Sequence, residues 1–344
     1  MARHKVLLWQ AELTDHDLLA VQQQLRHAPF VDQQTLSQWE GLWEKEWQRF
    51  ALAFADPEEL LRSLRLLFAW PPGQPFALDP FLEPIWQEAV SANSLWPCWP
   101  DLQPCSGELR PPFIDRQGMV VPELSIALQS RGWPMPDTKQ SQQLCIEEIS
   151  ATPLANGRGG EGCIQLYFAG GNQWLAAGGS ALLLTDDAAL YAQLRTLRQR
   201  IPTPVACAVG IAQWRSLPQR WQRRQELWTR YQQLLRGQGC WQLPQGQQRD
   251  RCWPFYGLRL ASLSLRQQLQ GYLQRVAISA APPCWFTLPA EGAYWPGWQA
   301  FNGQRLAIPC HAALDDREQK HIINRLHRWV SAHGSAQLAL EGAP

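Results

Sequence analysis

The block Gly178-Gly179-Ser180-Ala181-Leu182-Leu183-Leu184-Thr185-Asp186-Asp187 limits this chain more than any other stretch of it. The two glycines mark a turn, and the residues after them are too uniformly apolar to line a solvated surface. They read as a strand, residues 180–184, closed by a polar turn. Asp186 then caps a helix that carries Leu190, Leu194 and Leu197. Upstream, residues 144–147 and 164–168 are strand-like, and Gly170-Gly171 opens a turn after the second of them. Strand, loop, strand and helix in this order predict an α/β layer architecture.

A length of 344 residues leaves room for about two domains at roughly 150 residues each. The 31 basic and 30 acidic side chains nearly cancel, so no electrostatic footprint for nucleic acid or an anionic membrane follows. Apolar runs stop well short of the ~20 residues of a membrane span, and residues 1–10 lack a signal-peptide layout; a cytoplasmic location is expected. The nine cysteines are scattered, with no C-x-x-C pair. They read as reduced, mostly buried thiols, and no metal site is expected. Lysine is scarce: Lys5, Lys45, Lys139 and Lys320 are all there are.

Thr14 and Asp17 followed by Leu18, Leu19, Val21 and Leu25 read as a capped amphipathic helix. Trp39, Trp43, Trp47, Phe50 and Phe54 recur at helical spacing and predict a second helix, its aromatic stripe packed on a sheet. Asp56-Pro57-Glu58-Glu59 is a helix start, with a capping acid, proline at the first helical position and acids at the positive dipole end. Prolines interrupt residues 75–136 repeatedly, leaving one helix near 83–94 and a short strand near 119–121. A long Arg/Gln/Trp-rich helix covers about residues 205–236. A second block follows, with strands at 255–260 and 305–308 and helices at 265–274 and 316–330. The expected domains are a large α/β domain over 1–236, a small one over 237–332 and a flexible tail over 333–344.

The Gly178–Asp187 block, with Leu190, Leu194, Arg195, Leu197 and Arg198 after it, resembles the segment that follows the cofactor lysine in the DegT-type sugar aminotransferases. Val209-Gly210-Ile211-Ala212-Gln213 with Leu217, and then Arg223-Arg224 through Arg230-Tyr231, are similar to that family's long helix. Leu306-Ala307-Ile308-Pro309-Cys310-His311 resembles its turn into the last helix, and Cys145-Ile146-Glu147-Glu148 its "VIED" strand. The resemblance implies a fold-type-I aminotransferase architecture: a mostly parallel sheet sandwiched by helices, with a smaller C-terminal α/β domain. It also implies a dimer with active sites at the subunit interface, and pyridoxal phosphate (PLP) as cofactor.

PLP chemistry needs a lysine amine, a carboxylate for the pyridine nitrogen and donors for the phosphate. On the family's pattern the lysine falls on Gly171, or on Gly170 in a shifted register, beside Asn172. The pyridine carboxylate falls on Glu148, and the glutamine three residues later on Ala151. The phosphate-binding Ser-Gly-Thr falls on Asp56-Pro57-Glu58. There a capped, acidic, proline-bearing helix start has exchanged free N–H groups for carboxylates. The expectation is therefore a degenerate member with no catalytic residues of the family's kind and no cofactor. It would be a binding or partner subunit in nucleotide-sugar or surface-polysaccharide biosynthesis, a homodimer or a heterodimer with an intact homologue. The alternative is an active enzyme that uses PLP or pyridoxamine phosphate (PMP) in an atypical site. Glu147, Glu148, Asn172 and His311 are the polar candidates for a substrate cleft.

Overall fold

The computed structural model describes residues 5–10, 12, 14–27, 33–78, 82–102, 109–114, 120–121, 126–130, 144–150, 164–170, 173–238, 241–242, 255–283 and 295–333. Two helices, α1 (Asp15–His27) and α2 (Gln33–Trp47), lead into β1 (Phe50–Phe54), α3 (Pro57–Leu67), β2 (Pro75–Leu78) and α4 (Pro84–Ala92). Four strands follow, β3 (Trp96–Leu102), β4 (Leu109–Ile114), β5 (Val120–Val121) and β6 (Ile126–Ser130), then β7 (Leu144–Glu148), β8 (Ile164–Ala169) and β9 (Ser180–Thr185). Helices α5 (Ala188–Leu197) and α6 (Pro204–Leu234) lead to a last group: β10 (Trp241–Gln242), β11 (Phe255–Leu260), α7 (Leu263–Arg275), α8 (Pro296–Gln304), β12 (Arg305–Pro309) and α9 (Asp316–His333).

The large sheet runs β1-β9-β8-β7-β6-β2-β3-β4-β5. Strands β3, β2, β6, β7 and β8 are parallel, whereas β9 runs against both β8 and β1. Every residue of β9 is buried, as expected of an apolar strand inside a sheet covered on both faces. Gly178 and Gly179 turn into it with φ of 64° and 79°, a backbone that glycine adopts without steric cost. The cap of α5 is Asp187, not Asp186; its carboxylate accepts from the N–H groups of Ala189 and Leu190. Asp186 instead pairs with Arg49 at 2.9 Å.

The predicted helix through Phe54 ends earlier, and this corrects the reading of the aromatic stripe. Gln48 adopts a left-handed φ of 54°, which stops α2, and residues 50–54 pair with β9 as an edge strand. Trp39 and Trp43 do pack on the sheet: Trp43 lies 4.6 Å from Tyr167 and 4.9 Å from Trp214, centroid to centroid. Helix α6 closes on this layer because Gly210 has no side chain; a Cβ there would sit 2.9 Å from the Trp39 ring. On the opposite face α3 and α4 bury Leu60, Leu61, Leu64 and Trp86. The three-stranded sheet β10-β11-β12 packs with α7 and α9 around a core that also takes Tyr231 and Leu235 from the end of α6.

The N-terminal segment joins these parts. Val6 forms a parallel bridge with Ile278 beside the small sheet, and Leu8 packs on Phe255 and Ala307. Among the described residues no helix is long and apolar enough to cross a membrane, and Cys98, Cys207 and Cys310 are buried thiols. The expected tail beyond residue 333 lies outside the described residues.

Candidate active-site cleft

The strand directions bring the carboxyl ends of β1, β2, β6, β7 and β8 to one edge of the large sheet. In open α/β sheets that edge is where a ligand crevice forms. Four of the connections that leave it carry Asp56 into α3, Glu83 into α4, Glu148 with Ser150 after β7, and residues 170–179 between β8 and β9.

The start of α3 is capped from within. The Asp56 carboxylate accepts from the Glu59 N–H at 2.8 Å, and Pro57 offers no N–H. Glu59 is 1% exposed and gathers the donors around it. Its oxygens accept from Arg62 Nη2 and Nε at 2.7 and 2.9 Å, and from the N–H groups of Gln199 and Arg200 at 2.7 and 3.2 Å. Burial opposes the charge on Glu59, but the Arg62 guanidinium and the two amides outweigh it and hold the carboxyl at about 2. A carboxyl depressed on folding stabilises above its unfolded pKa and loses that contribution as pH falls toward its folded one. Glu59→Gln is therefore expected to be less stable than wild type near pH 6, with the difference shrinking between about pH 4.5 and 2. Urea unfolding at stepped pH checks this, and a constant difference would contradict it.

Glu147 and Glu148 do not work as a couple, because successive strand residues point to opposite faces. Glu147 accepts from Gln165 Nε2 at 3.0 Å within the β7–β8 pair. Glu148, 5% exposed, accepts from the hydroxyl of Ser150 and from its N–H. That hydroxyl oxygen in turn accepts from the Phe168 N–H at 2.9 Å. Asn172, Gly171 and Ala151 lie outside the described residues. Gly170 is described, and a Cβ there would stand 2.3 Å from the ring of Phe168; a side chain at 170 requires that ring to move.

The described part of the β8–β9 connection is held tightly. Arg220 Nη1 donates to the Trp174 carbonyl at 2.7 Å, and the Arg224 guanidinium lies 3.6 Å over the Trp174 ring. The Leu175 N–H donates to the Tyr167 hydroxyl at 2.9 Å and the Ala176 N–H to Gln213 Oε1 at 2.6 Å. Glu12 closes the group from the N-terminal segment, accepting from Arg224 Nη2 at 2.9 Å and from the Ala312 N–H at 2.5 Å, with Arg220 at 3.4 Å. Burial raises the Glu12 carboxyl, yet the neighbouring Arg224, the Ala312 amide and Arg220 bring it below its ordinary value.

His311 is placed on this fastening. It is 2% exposed, its Nε2 meets the Leu7 carbonyl at 3.1 Å, and burial lowers its pKa. Glu83 joins the crevice from the start of α4: its carboxyl, raised by burial, accepts from Gln173 Nε2 at 3.0 Å. Sequence reasoning missed Glu12, Glu83, Gln173, Trp174, Arg220 and Arg224. The one signal that pointed their way was the arginine-rich stretch of α6.

The architecture is that of the fold-type-I sugar aminotransferases. Over 95% of this chain and 99% of theirs, it superimposes on the aminotransferase TlmJ of Streptoalloteichus hindustanus with a TM-score of 0.80 at 18% identity. The PLP form of Spr1654, a putative sugar aminotransferase of Streptococcus pneumoniae, matches with a TM-score of 0.78 at 14% identity, covering 96% of this chain and 99% of that one. PseC of Helicobacter pylori, an aminotransferase in the biosynthesis of pseudoaminic acid, matches at 0.76 and 12%, covering 96% and 100%. Residues 200–327 match the family described as DegT/DnrJ/EryC1/StrS aminotransferase. None of the curated proteins is similar enough to this sequence to count as a relative.

These matches overturn the expectation that no cofactor is taken. Spr1654 is solved on this fold in a PLP form and in a PMP form, so the group belongs to what the architecture holds. At residue level two fixtures of such a group differ here. Residues 170–179 contain no lysine, and the α3 start, where Asp56 takes the Glu59 N–H, Pro57 has none and Glu58 and Glu59 add acid, does not fit a phosphate dianion. No chemical step is therefore derived through the group.

Proposed function

We propose that this chain is a catalytically degenerate subunit of the sugar aminotransferase fold that binds a nucleotide sugar and acts beside an intact homologue in surface-polysaccharide biosynthesis. One observation supports it above the rest. The connection that would carry the covalent lysine offers no amine, while Trp174, Leu175 and Ala176 within it remain fastened to α6 and β8. The framework of the cleft is kept and its reactive nitrogen is not.

The reading is tested by incubating the purified chain with PLP, L-glutamate and a nucleotide-linked 4-keto sugar, alone and after co-expression with a lysine-bearing homologue. Amino-sugar formation is expected only with the homologue, together with a co-purifying complex. Amino-sugar formation by the chain alone would overturn the degenerate reading, and no complex would overturn the partner role.

A second reading draws on the PMP form of Spr1654. PMP carries its own amine, so an enzyme of this fold that starts from PMP does not depend on a lysine to deliver nitrogen. Under that reading the chain alone converts the keto sugar when PMP is supplied and fails when PLP is.

A further inference from the structure

One group of side chains at the cleft is used neither by the α3 start nor by the α6 fastening. Glu83 stands at the N-cap position of α4 but makes no side-chain cap, so its carboxyl is directed elsewhere. It meets Gln173 Nε2 at 3.0 Å. Gln173 is itself fixed, its N–H donating to the Gly170 carbonyl at 3.1 Å. The Phe168 ring covers that same Gly170, at 2.3 Å from where a Cβ would lie, and the edge of Trp86, one turn along α4 from Glu83, backs the ring at 6.4 Å. Phe168, Gln173 and Glu83 are each only partly buried. A flat apolar ring thus lies beside a carboxyl–amide pair, at the carboxyl end of β8.

We propose that Phe168, backed by Trp86, and the Glu83–Gln173 pair form a subsite for the uncharged hexopyranose ring of the nucleotide sugar. The proposal rests on the nucleotide-sugar reading above and specifies the ring and the residues that take it. A pyranose presents a face of C–H groups and an edge of hydroxyls, which need an aromatic surface and hydrogen-bonding groups set at its rim. Glu83 accepts from hydroxyl donors, and Gln173 keeps a carbonyl oxygen for another. Burial already opposes the charge on Glu83, and a second negative charge on the ring beside its carboxylate is disfavoured. The subsite therefore discriminates against hexuronic acids.

Isothermal titration with hexoses linked to UDP, dTDP or GDP, with UDP-glucuronic acid and with the free nucleoside diphosphates tests this on the full chain. Wild type is expected to bind a neutral hexose conjugate about tenfold more tightly than UDP-glucuronic acid. Gln173→Ala and Phe168→Ala should each weaken the neutral conjugate about three- to tenfold, the scale of one lost hydrogen bond or contact surface, and leave the free diphosphate unchanged. Glu83→Gln should narrow the preference for the neutral ring. Conjugate binding that neither Gln173→Ala nor Phe168→Ala alters, with circular dichroism unchanged, overturns the subsite and leaves the nucleotide-sugar reading standing. Failure of every conjugate to bind wild type overturns that reading itself.

Discussion

Glu12→Ala is expected to lower the unfolding free energy by about 3–5 kcal/mol, the cost of removing one partner from a buried ion pair. The side chains of Glu12, Arg220 and Arg224 are 6%, 9% and 5% exposed. Removing the carboxylate strands two guanidinium groups in the protein interior and frees the Ala312 N–H. Burial already pushes the Arg220 pKa down with Glu12 in place, so the arginines tolerate little further loss. The effect reaches the cleft because the same two arginines hold the carbonyl and the ring of Trp174. Glu12→Gln, which keeps an acceptor for Ala312, should lie between wild type and alanine. Urea unfolding gives the numbers, and a loss under about 1 kcal/mol for Glu12→Ala would show that the N-terminal segment is not fastened this way.

Gly171→Lys alone is expected to give no transamination above background. A new amine meets a helix start at which Asp56 takes the Glu59 N–H, Pro57 has none, and the carboxylates of Asp56, Glu58 and Glu59 oppose a phosphate. Position 171 is preferred to 170, since a side chain at Gly170 runs into the Phe168 ring. Combining Gly171→Lys with Asp56→Ser, Pro57→Gly, Glu58→Thr and Glu148→Asp should produce weak but measurable amino transfer. Titration with PLP by absorbance, followed by a glutamate half-reaction, separates the outcomes. Activity in the single variant would show that the acidic α3 start is no obstacle, and inactivity of the folded multiple variant would contradict the register that places the lysine at 171.

The parts of the fold that were legible in the sequence are those whose determinants are local. The glycine pair, the apolar strand and the acid-capped helix after it lie within 20 residues, and β9 and α5 form there with only the capping residue displaced by one position. Strands β2, β3, β4 and β6 were not legible. Pro97 and Pro100 sit inside β3, where a proline argues against a strand. The register along β3 shifts between Pro100 and Asp101, and β3 is where the parallel pairing with β2 gives way to the antiparallel β4–β5 hairpin. Asp101 has a further role invisible in sequence: it accepts from the N–H groups of Gly297 and Trp298 and caps α8 from 196 residues away.

The site followed the same division. Asp56, Pro57 and Glu59 are local to one helix start and were readable as a blocked anion site, although the partners of Glu59 across the chain, Gln199 and Arg200, were not. Glu12 meets Arg224 over 212 residues, and Glu83 meets Gln173 over 90. No spacing rule joins such pairs; only the parallel sheet, which gathers its strand ends at one edge, brings them together. The cofactor expectation failed for a related reason. It was built from substituted positions one by one, whereas the architecture as a whole is the one that holds PLP and PMP in Spr1654.

The most direct measurement of the central claim is a half-reaction of the purified wild-type chain with equimolar PLP and excess L-glutamate, followed by release of 2-oxoglutarate. A subunit whose β8–β9 connection carries no lysine is predicted to release none beyond the rate of PLP in buffer. Release of one equivalent per chain, at a rate that protein concentration controls, would contradict the account.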